Sequence, residues 1–498
     1  MTPPKAAKDS KPHSDSKPQH GGERPLGEKP LKAADAPAKR LSKSEIRLVI
    51  FGLMLAMGLA ALDQTIVAPA LPTMGRVFDD IENLSWIVTA YLLTATTVTP
   101  LYGKLSDVYG RRAMMLIGIG IFVLGSIACA LAPTMTMLIL ARGLQGLGGG
   151  GLMSLVHTII ADIVTPRERG RYQGYFSTVF GLAAVGGPIV GGVFVEHLHW
   201  SLIFWINVPL GIAAFLMTWT ALKRLPVHER QHQLDILGAA LMTAAAVLFL
   251  LALTWGGTRY PWLSAPIIGL IAASALLWAA FGWRIATAPE PFIPLNVLKN
   301  PVVLSATLSA TFGIGTMIAL TVYAPLYFEL VMHFSASRTG AGLIPLLAGT
   351  VIGATIAGQT MARVQNYKRI SLIGLAVGIL GVACVAIWPS VSATLAIAAL
   401  GFTGVGIGCL LPVTTVSVQN AVPALQLGTA TGAMNFTRQL GSAVIVAARS
   451  SWVASGAETS RLKRSRSRQH SATITARSSA WSSPLLPAAS SSAMSSCC

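Results

Sequence analysis

Three groups of charged residues in this 498-residue chain are placed where charge is costly. Asp63 lies in Leu62-Asp-Gln-Thr-Ile-Val-Ala-Pro-Ala-Leu-Pro72, about two-thirds of the way along an apolar run from Leu48 to Pro69. A carboxylate at that depth in lipid must face a polar cavity, meet a cation or hold a proton, and the last would make it a proton carrier. The plainer alternative is a structural Asp hydrogen-bonded to Gln64, Thr65 or a neighbouring helix. Arg142, in Leu140-Ala-Arg-Gly-Leu-Gln-Gly146, is the second buried charge. Facing a cavity, it could alternate between partners during proton transfer; otherwise its long stem snorkels to the headgroups. The third group is Gly103-Lys-Leu-Ser-Asp-Val-Tyr-Gly-Arg-Arg112, wedged between two apolar runs. Gly103 lets two helix ends approach closely and Gly110 permits a tight turn, while Asp107 can pair with Arg111 or bind orphan amides at a helix start. With Arg112 these residues form a latch. Asp162 and Arg169 lie where they could reach Asp107 and Arg111 and hold one conformation closed at that membrane face.

The remaining residues offer little other chemistry. His157 stands alone among apolar residues, the five cysteines show no metal spacing, and no phosphate-binding Gly-x-x-x-x-Gly-Lys-Ser/Thr is present. The chain is therefore expected to be no enzyme and to use no metal or organic cofactor.

The elements that position these residues follow from composition. Hydrophobic residues make up 53% of the chain and charged ones only 11%, with a mean hydropathy of +0.62. A soluble domain carries about 25% charged residues, and here the apolar runs are continuous over about 18 residues or more, long enough to cross a bilayer. The class is an all-α polytopic membrane protein. The net charge of +18 lies in two tails and in alternate loops, so it speaks of orientation and not of nucleic acid. Beyond the run at 48–69, apolar segments fall at 85–102, 113–132, 136–160, 173–195, 201–222, 235–254, 266–284, 302–328, 339–361, 370–388 and 394–418, twelve complete spans, and a thirteenth segment starts near Leu427. With the N-terminus in the cytoplasm, the bases around Arg111, Arg169, Lys223, Lys299 and Arg369 all fall inside, and Asp79, Asp80, Glu196 and Glu329 fall outside.

The chain divides accordingly into a disordered basic cytoplasmic tail (1–45), a six-helix bundle (46–222), two inserted helices (223–290), a second bundle (291–448) and a Ser/Arg-rich tail (449–498). No cleavable signal peptide precedes the first span, which must itself act as the insertion signal. The break in character after Ala447 predicts a frameshifted or truncated C-terminus and an incomplete second bundle, hence an unstable or inactive chain.

In helix 5, Gly181, Gly186-Gly187-Pro188 and Gly191-Gly192 combine a kink-forming proline with close-packing glycines. Asn435-Phe-Thr-Arg438-Gln-Leu-Gly441 carries an arginine at mid-depth of the thirteenth segment, a costly placement unless it meets a cavity or a partner. The Asp63 segment, the Gly103–Arg112 loop, Arg142-Gly-Leu-Gln-Gly146, the helix 5 stretch, Trp200-Ser-Leu-Ile-Phe-Trp-Ile-Asn-Val-Pro-Leu-Gly211 and the Asn435 stretch fall in one order. That order resembles the major facilitator superfamily, in its drug:proton antiporter branch with fourteen helices. The resemblance implies two helical bundles around a central cavity, with Asp63 as the proton site, Arg142 as its charge partner, Asp107 and Arg111 as the gating latch, and a helix 5 of the antiporter kind. The implied function is proton-driven export of amphipathic or cationic drug-like compounds across the inner (plasma) membrane, with protons as the coupling ion and an accessory periplasmic protein as a further partner. The alternatives are a metabolite symporter or facilitator of the same fold, or a truncated membrane protein that no longer transports.

Overall fold

A computed structural model describes residues 43–224, 235–330, 332–334, 336–364, 366–387 and 392–447. Of the two tails expected to be disordered, residues 1–42 and 449–498 lie outside the described residues, whereas Lys43–Glu45 already belong to the first helix. Twelve long helices precede a thirteenth: α1 Lys43–Ile66, α2 Leu84–Tyr109, α3 Arg111–Ala130, α4 Met135–Ile163, α5 Pro166–His197, α6 Leu202–Ala221, α7 Ile236–Trp255, α8 Ala265–Thr287, α9 Pro301–Leu330, α10 Ala336–Met361, α11 Lys368–Ile387 and α12 Ala393–Asn420. Helix α13 covers 427–447. No strand is present among the described residues, as hydrocarbon demands of open backbone. Eleven of these helices are long and apolar enough to span a membrane; α11 and α13 are the other two. Eleven of the twelve spans expected from the sequence are met on this measure; the other, 370–388, runs into the undescribed residues from 388 on, and fourteen helices are not reached among the described residues. The thirteenth segment misses because Asn435, Arg438 and Gln439 interrupt its apolar run.

The helices form two bundles with matching neighbours. In the first, α4 packs on α1, α2 and α3; in the second, α12 packs on α9, α10 and α11. Both central helices are built the same way. Gly148 faces the backbone of Phe122 on α3 and Gly150 that of Ala95 on α2, while Gly404 and Gly408 face α10 and Gly406 faces α11. Glycine weakens a helix interior, yet Gly146 and Gly148–Gly151 lie within an unbroken α4, because they let the neighbouring backbones close on it. Over an 18-residue apolar stretch of each helix, 78% of the residues are buried in α4 against 17% in α5. The outer helices turn large apolar side chains such as Leu182, Leu276, Phe312 and Leu380 outward, an exposure that fits lipid as the solvent.

Across the seam the bundles exchange corresponding helices: α5 packs on α10, and α2 meets α13. The inserted pair α7–α8 packs on itself and against α2. It also reaches the second bundle, where Trp278 and Phe281 join Ala433 and Phe436 of α13 in one apolar cluster. Asp235 anchors the pair by accepting from Arg284 Nε at 2.9 Å, Gly238 N at 3.0 Å and Phe292 N at 3.3 Å. Among the described residues the second bundle contributes five long helices to the first bundle's six.

Candidate functional site

Arg142 and Gln145 stand three residues apart and so share one face of α4, and that face is turned towards Asp63 of α1. Arg142 Nη1 donates to Asp63 Oδ2 at 2.7 Å. Gln145 Nε2 and Asn207 Nδ2 both donate to Asp63 Oδ1, at 2.8 and 2.9 Å. Ser126 Oγ of α3 accepts from the same two amides at 2.6 and 3.3 Å. The guanidinium is fixed on its other sides by Ile87 O at 3.1 Å, by Gln145 Oε1 at 2.6 Å, and by the Tyr91 ring, 4.3 Å from its centre. Asp63 is 0% exposed and Arg142 1%, so Arg142 does not snorkel to headgroups. Asp63 is held from α4 and α6, not by Gln64 or Thr65: Thr65 Oγ1 donates instead to Ala183 O of α5 at 2.8 Å. A buried ion pair persists only when further hydrogen bonds satisfy both charges, as they do here.

The second cluster lies where the basic loops gather. Gly110, at φ 90°, joins α2 to α3 in a single residue, a backbone conformation that glycine adopts without strain. Arg111 Nη1 reaches Asp107 Oδ1 at 2.5 Å and Arg111 Nε reaches Asp162 Oδ2 at 2.7 Å. Asp107 in turn caps the start of α13, accepting from Gly428 N at 3.1 Å and from Thr429 N and Oγ1, both at 2.7 Å. Gly103 makes that approach possible, since a Cβ there would meet the Gly428 carbonyl and lie 3.3 Å from Gly432 Cα. Two of the residues assigned to this latch sit elsewhere. Arg169 Nη1 donates to Asn420 Oδ1 of α12 at 2.7 Å and Nη2 to Ala161 O at 2.6 Å, a separate tie across the seam, because Asp162 is already taken by Arg111. Arg112, one residue past Arg111 on a helix, points to another side and lies 4.6 Å over the Trp219 ring of α6.

The helix 5 glycines divide between two neighbours. Gly181 meets Val351 of α10 across the seam, whereas Gly187 and Gly191 meet Thr65 and Ile66 of α1. Gly192 has nothing within 4 Å, so close packing does not account for it. The helix runs unbroken through Pro188.

A cavity of about 100 Å³ opens between the bundles, walled by α1, α4 and α5 on one side and α9, α10, α12 and α13 on the other. Phe176, Phe180 and Met317 supply apolar wall; Gln173, His157 and Arg438 supply polar wall. Asp63 is not on this wall. His157 Nδ1 lies 2.6 Å from Met153 O. Asn435, one turn before Arg438, is buried with both side-chain amide atoms unpartnered. Gln145 and Asn207 were present in the quoted stretches, and their signal was an amide within an apolar run. Nothing local marked Gly428 and Thr429 as the partners of Asp107.

The profile of the Major Facilitator Superfamily matches residues 53–446. Among similar chains is an uncharacterized MFS-type transporter of Mycobacterium tuberculosis, 35% identical over 81% of this chain and 58% of that one. Bacillus subtilis Multidrug resistance protein 3 is 33% identical over 80% and 78%, and the multidrug transporter protein MdtP of the same organism is 34% identical over 81% and 74%. The chain thus spans less than two-thirds of the mycobacterial relative. Among solved structures, the human organic anion transporter MFSD10 superposes with a TM-score of 0.61 at 16% identity, covering 82% of this chain and 93% of that one. The proton:xylose symporter XylE gives 0.60 at 14%, covering 82% and 88%. Two bundles with matching neighbours, eleven spanning helices and a profile match along most of the chain lead to one conclusion: this is a multi-pass membrane protein of the major facilitator superfamily, a family of transporters rather than enzymes.

Proposed function

We propose that the chain is a proton-coupled antiporter that exports amphipathic drug-like compounds across the plasma (inner) membrane, with its N-terminus in the cytoplasm. The observation that carries the coupling is the sealed Asp63–Arg142 pair. A proton taken up by Asp63 cancels its charge and leaves Arg142 with Gln145, the Ile87 carbonyl and the Tyr91 ring. That change occurs on three helices at once, because Asp63, Arg142 and Asn207 belong to α1, α4 and α6. Release of the proton restores the pair, so the two protonation states favour two arrangements of the first bundle.

The seam provides the element on which that bias acts. Asp107 with Gly428 and Thr429, and Arg169 with Asn420, tie the bundles together at the end carrying the basic loops. Opening there would break these bonds as a set, in keeping with rocking of one bundle against the other. The multidrug relatives and the helix 5 resemblance support export over import. The cavity is smaller than the ~300 Å³ of a drug-sized site, so such a substrate needs the bundles to part further. Its wall carries no carboxylate among the described residues; of the two substrate descriptions expected from the sequence, amphipathic or cationic, the first is retained.

The test is Asp63→Asn in proteoliposomes. The amide fills the same space and can still accept from Arg142, but cannot take up and release a proton. Export of a fluorescent dye driven by an imposed pH gradient is expected to disappear while the protein stays inserted and monodisperse. Gradient-driven export at the parental rate would remove Asp63 from the coupling.

A further inference from the structure

Among the described residues, Arg438 is the interior cation that no carboxylate, amide or carbonyl holds. Arg142, Arg111 and Arg169 are each bonded to carboxylates, amides or carbonyls. Arg438 has no hydrogen-bond or ion-pair partner among the described residues, and it lines the cavity. Its helix explains why it points there. Gly428, Gly432 and Gln439 mark the stripe of α13 that faces α2, Gln439 through Thr96 Oγ1 at 3.0 Å. Arg438 sits one residue off that stripe, turned about 100° round the helix, towards α4, α5 and α12.

The rest of the wall matches a guanidinium that awaits an anion. Gln173, on the α5 side, has a buried Nε2 with no acceptor. A second donor therefore stands in the same cavity without a partner. Of the wall's ionisable side chains, His157 is the other, and there is no Asp or Glu among the described residues to neutralise Arg438. Phe176, Phe180 and Met317 offer an apolar bed beside these donors. A planar fork of N–H groups is suited to bidentate contact with a carboxylate or sulfonate, and an intramembrane cation without a protein partner is placed to meet a ligand.

We propose that the central cavity takes amphipathic organic acids, with Arg438 and Gln173 receiving the carboxylate or sulfonate and the Phe176–Phe180–Met317 wall receiving the apolar body. This rests on the proposed export of amphipathic compounds and narrows its substrate class. The bound acid would supply the counter-charge that Arg438 lacks.

The test compares two dyes that share a xanthene ring: fluorescein, an organic acid, and rhodamine 6G, its cationic esterified relative. The full chain is placed in lipid nanodiscs at neutral pH and titrated by fluorescence anisotropy. Fluorescein is expected to bind about tenfold more tightly than rhodamine 6G. Arg438→Gln is expected to lose about that tenfold for fluorescein and keep its affinity for rhodamine 6G, and Arg438→Lys, which keeps the charge but not the planar fork, to retain part of the preference. Rhodamine 6G bound by the parent as tightly as fluorescein overturns the proposal, and so does an undiminished fluorescein affinity in Arg438→Gln. Should the Gln variant misfold, Arg438→Lys decides: a monodisperse Lys protein that binds both dyes alike also overturns it. Binding needs no proton gradient, so a failure of proton-coupled export and a failure of acid recognition are read separately.

Discussion

Replacing Asp107 by Ala should unlock one end of the seam. Its side chain is 6% exposed, so solvent screens its bonds little. It accepts three hydrogen bonds from the first residues of α13 and pairs with Arg111, which keeps Asp162 when Asp107 is gone. Bonds to a charged acceptor contribute about 1.5 to 3 kcal/mol each, but the freed amides regain water once the seam opens, so the net loss is nearer 3 kcal/mol than the sum. That is about a hundredfold shift in the ratio of closed to open forms at this end. Spin labels at Tyr109→Cys and Val364→Cys, both exposed positions on opposite bundles, with the accessible native cysteines replaced, would report that ratio by electron–electron double resonance. The expected result is a major population at longer distance in Asp107→Ala, together with slower transport and little change in substrate affinity. An unchanged distance distribution would refute the assigned bias, and so would loss of binding with normal turnover.

Gly103→Leu should act in the same direction, because a side chain there meets Gly428 and Gly432 directly; the same labels would show it, and a closed seam would contradict the steric account. Gly150→Val should instead damage folding: a Cβ would lie 2.7 Å from Ala95 Cα, an overpacking of about 1 to 3 kcal/mol, visible as a lower Tm and absent if α2 yields freely. Arg142→Gln should cost about 3 to 5 kcal/mol by leaving Asp63 buried without a cation. Adding Asp63→Asn should then recover most of that stability without recovering gradient-driven export, whereas additive losses in the double variant would mean the two residues do not act as a pair.

Much of the architecture was legible in the chain itself, because hydrocarbon leaves so few options. A run of apolar residues long enough to cross must be a helix, and the observed bounds of α1 to α12 fall close to the expected ones. The depth of Asp63 and Arg142 and the position of the Gly103–Arg112 loop followed from counting residues. What counting cannot supply is rotation about each helix axis. Lipid and protein interior are both apolar, so a spanning helix shows little periodicity to tell which face looks inward. Only the packed bundles therefore decided that Gln145 and Asn207 join Asp63, that Asp107 caps a helix 321 residues away, that Arg169 holds Asn420 and not Asp162, that Arg112 rests on Trp219, and that Arg438 turns into the cavity. Each of these depends on the angle at which one glycine-lined helix meets another, and that angle is fixed by contacts from distant parts of the chain.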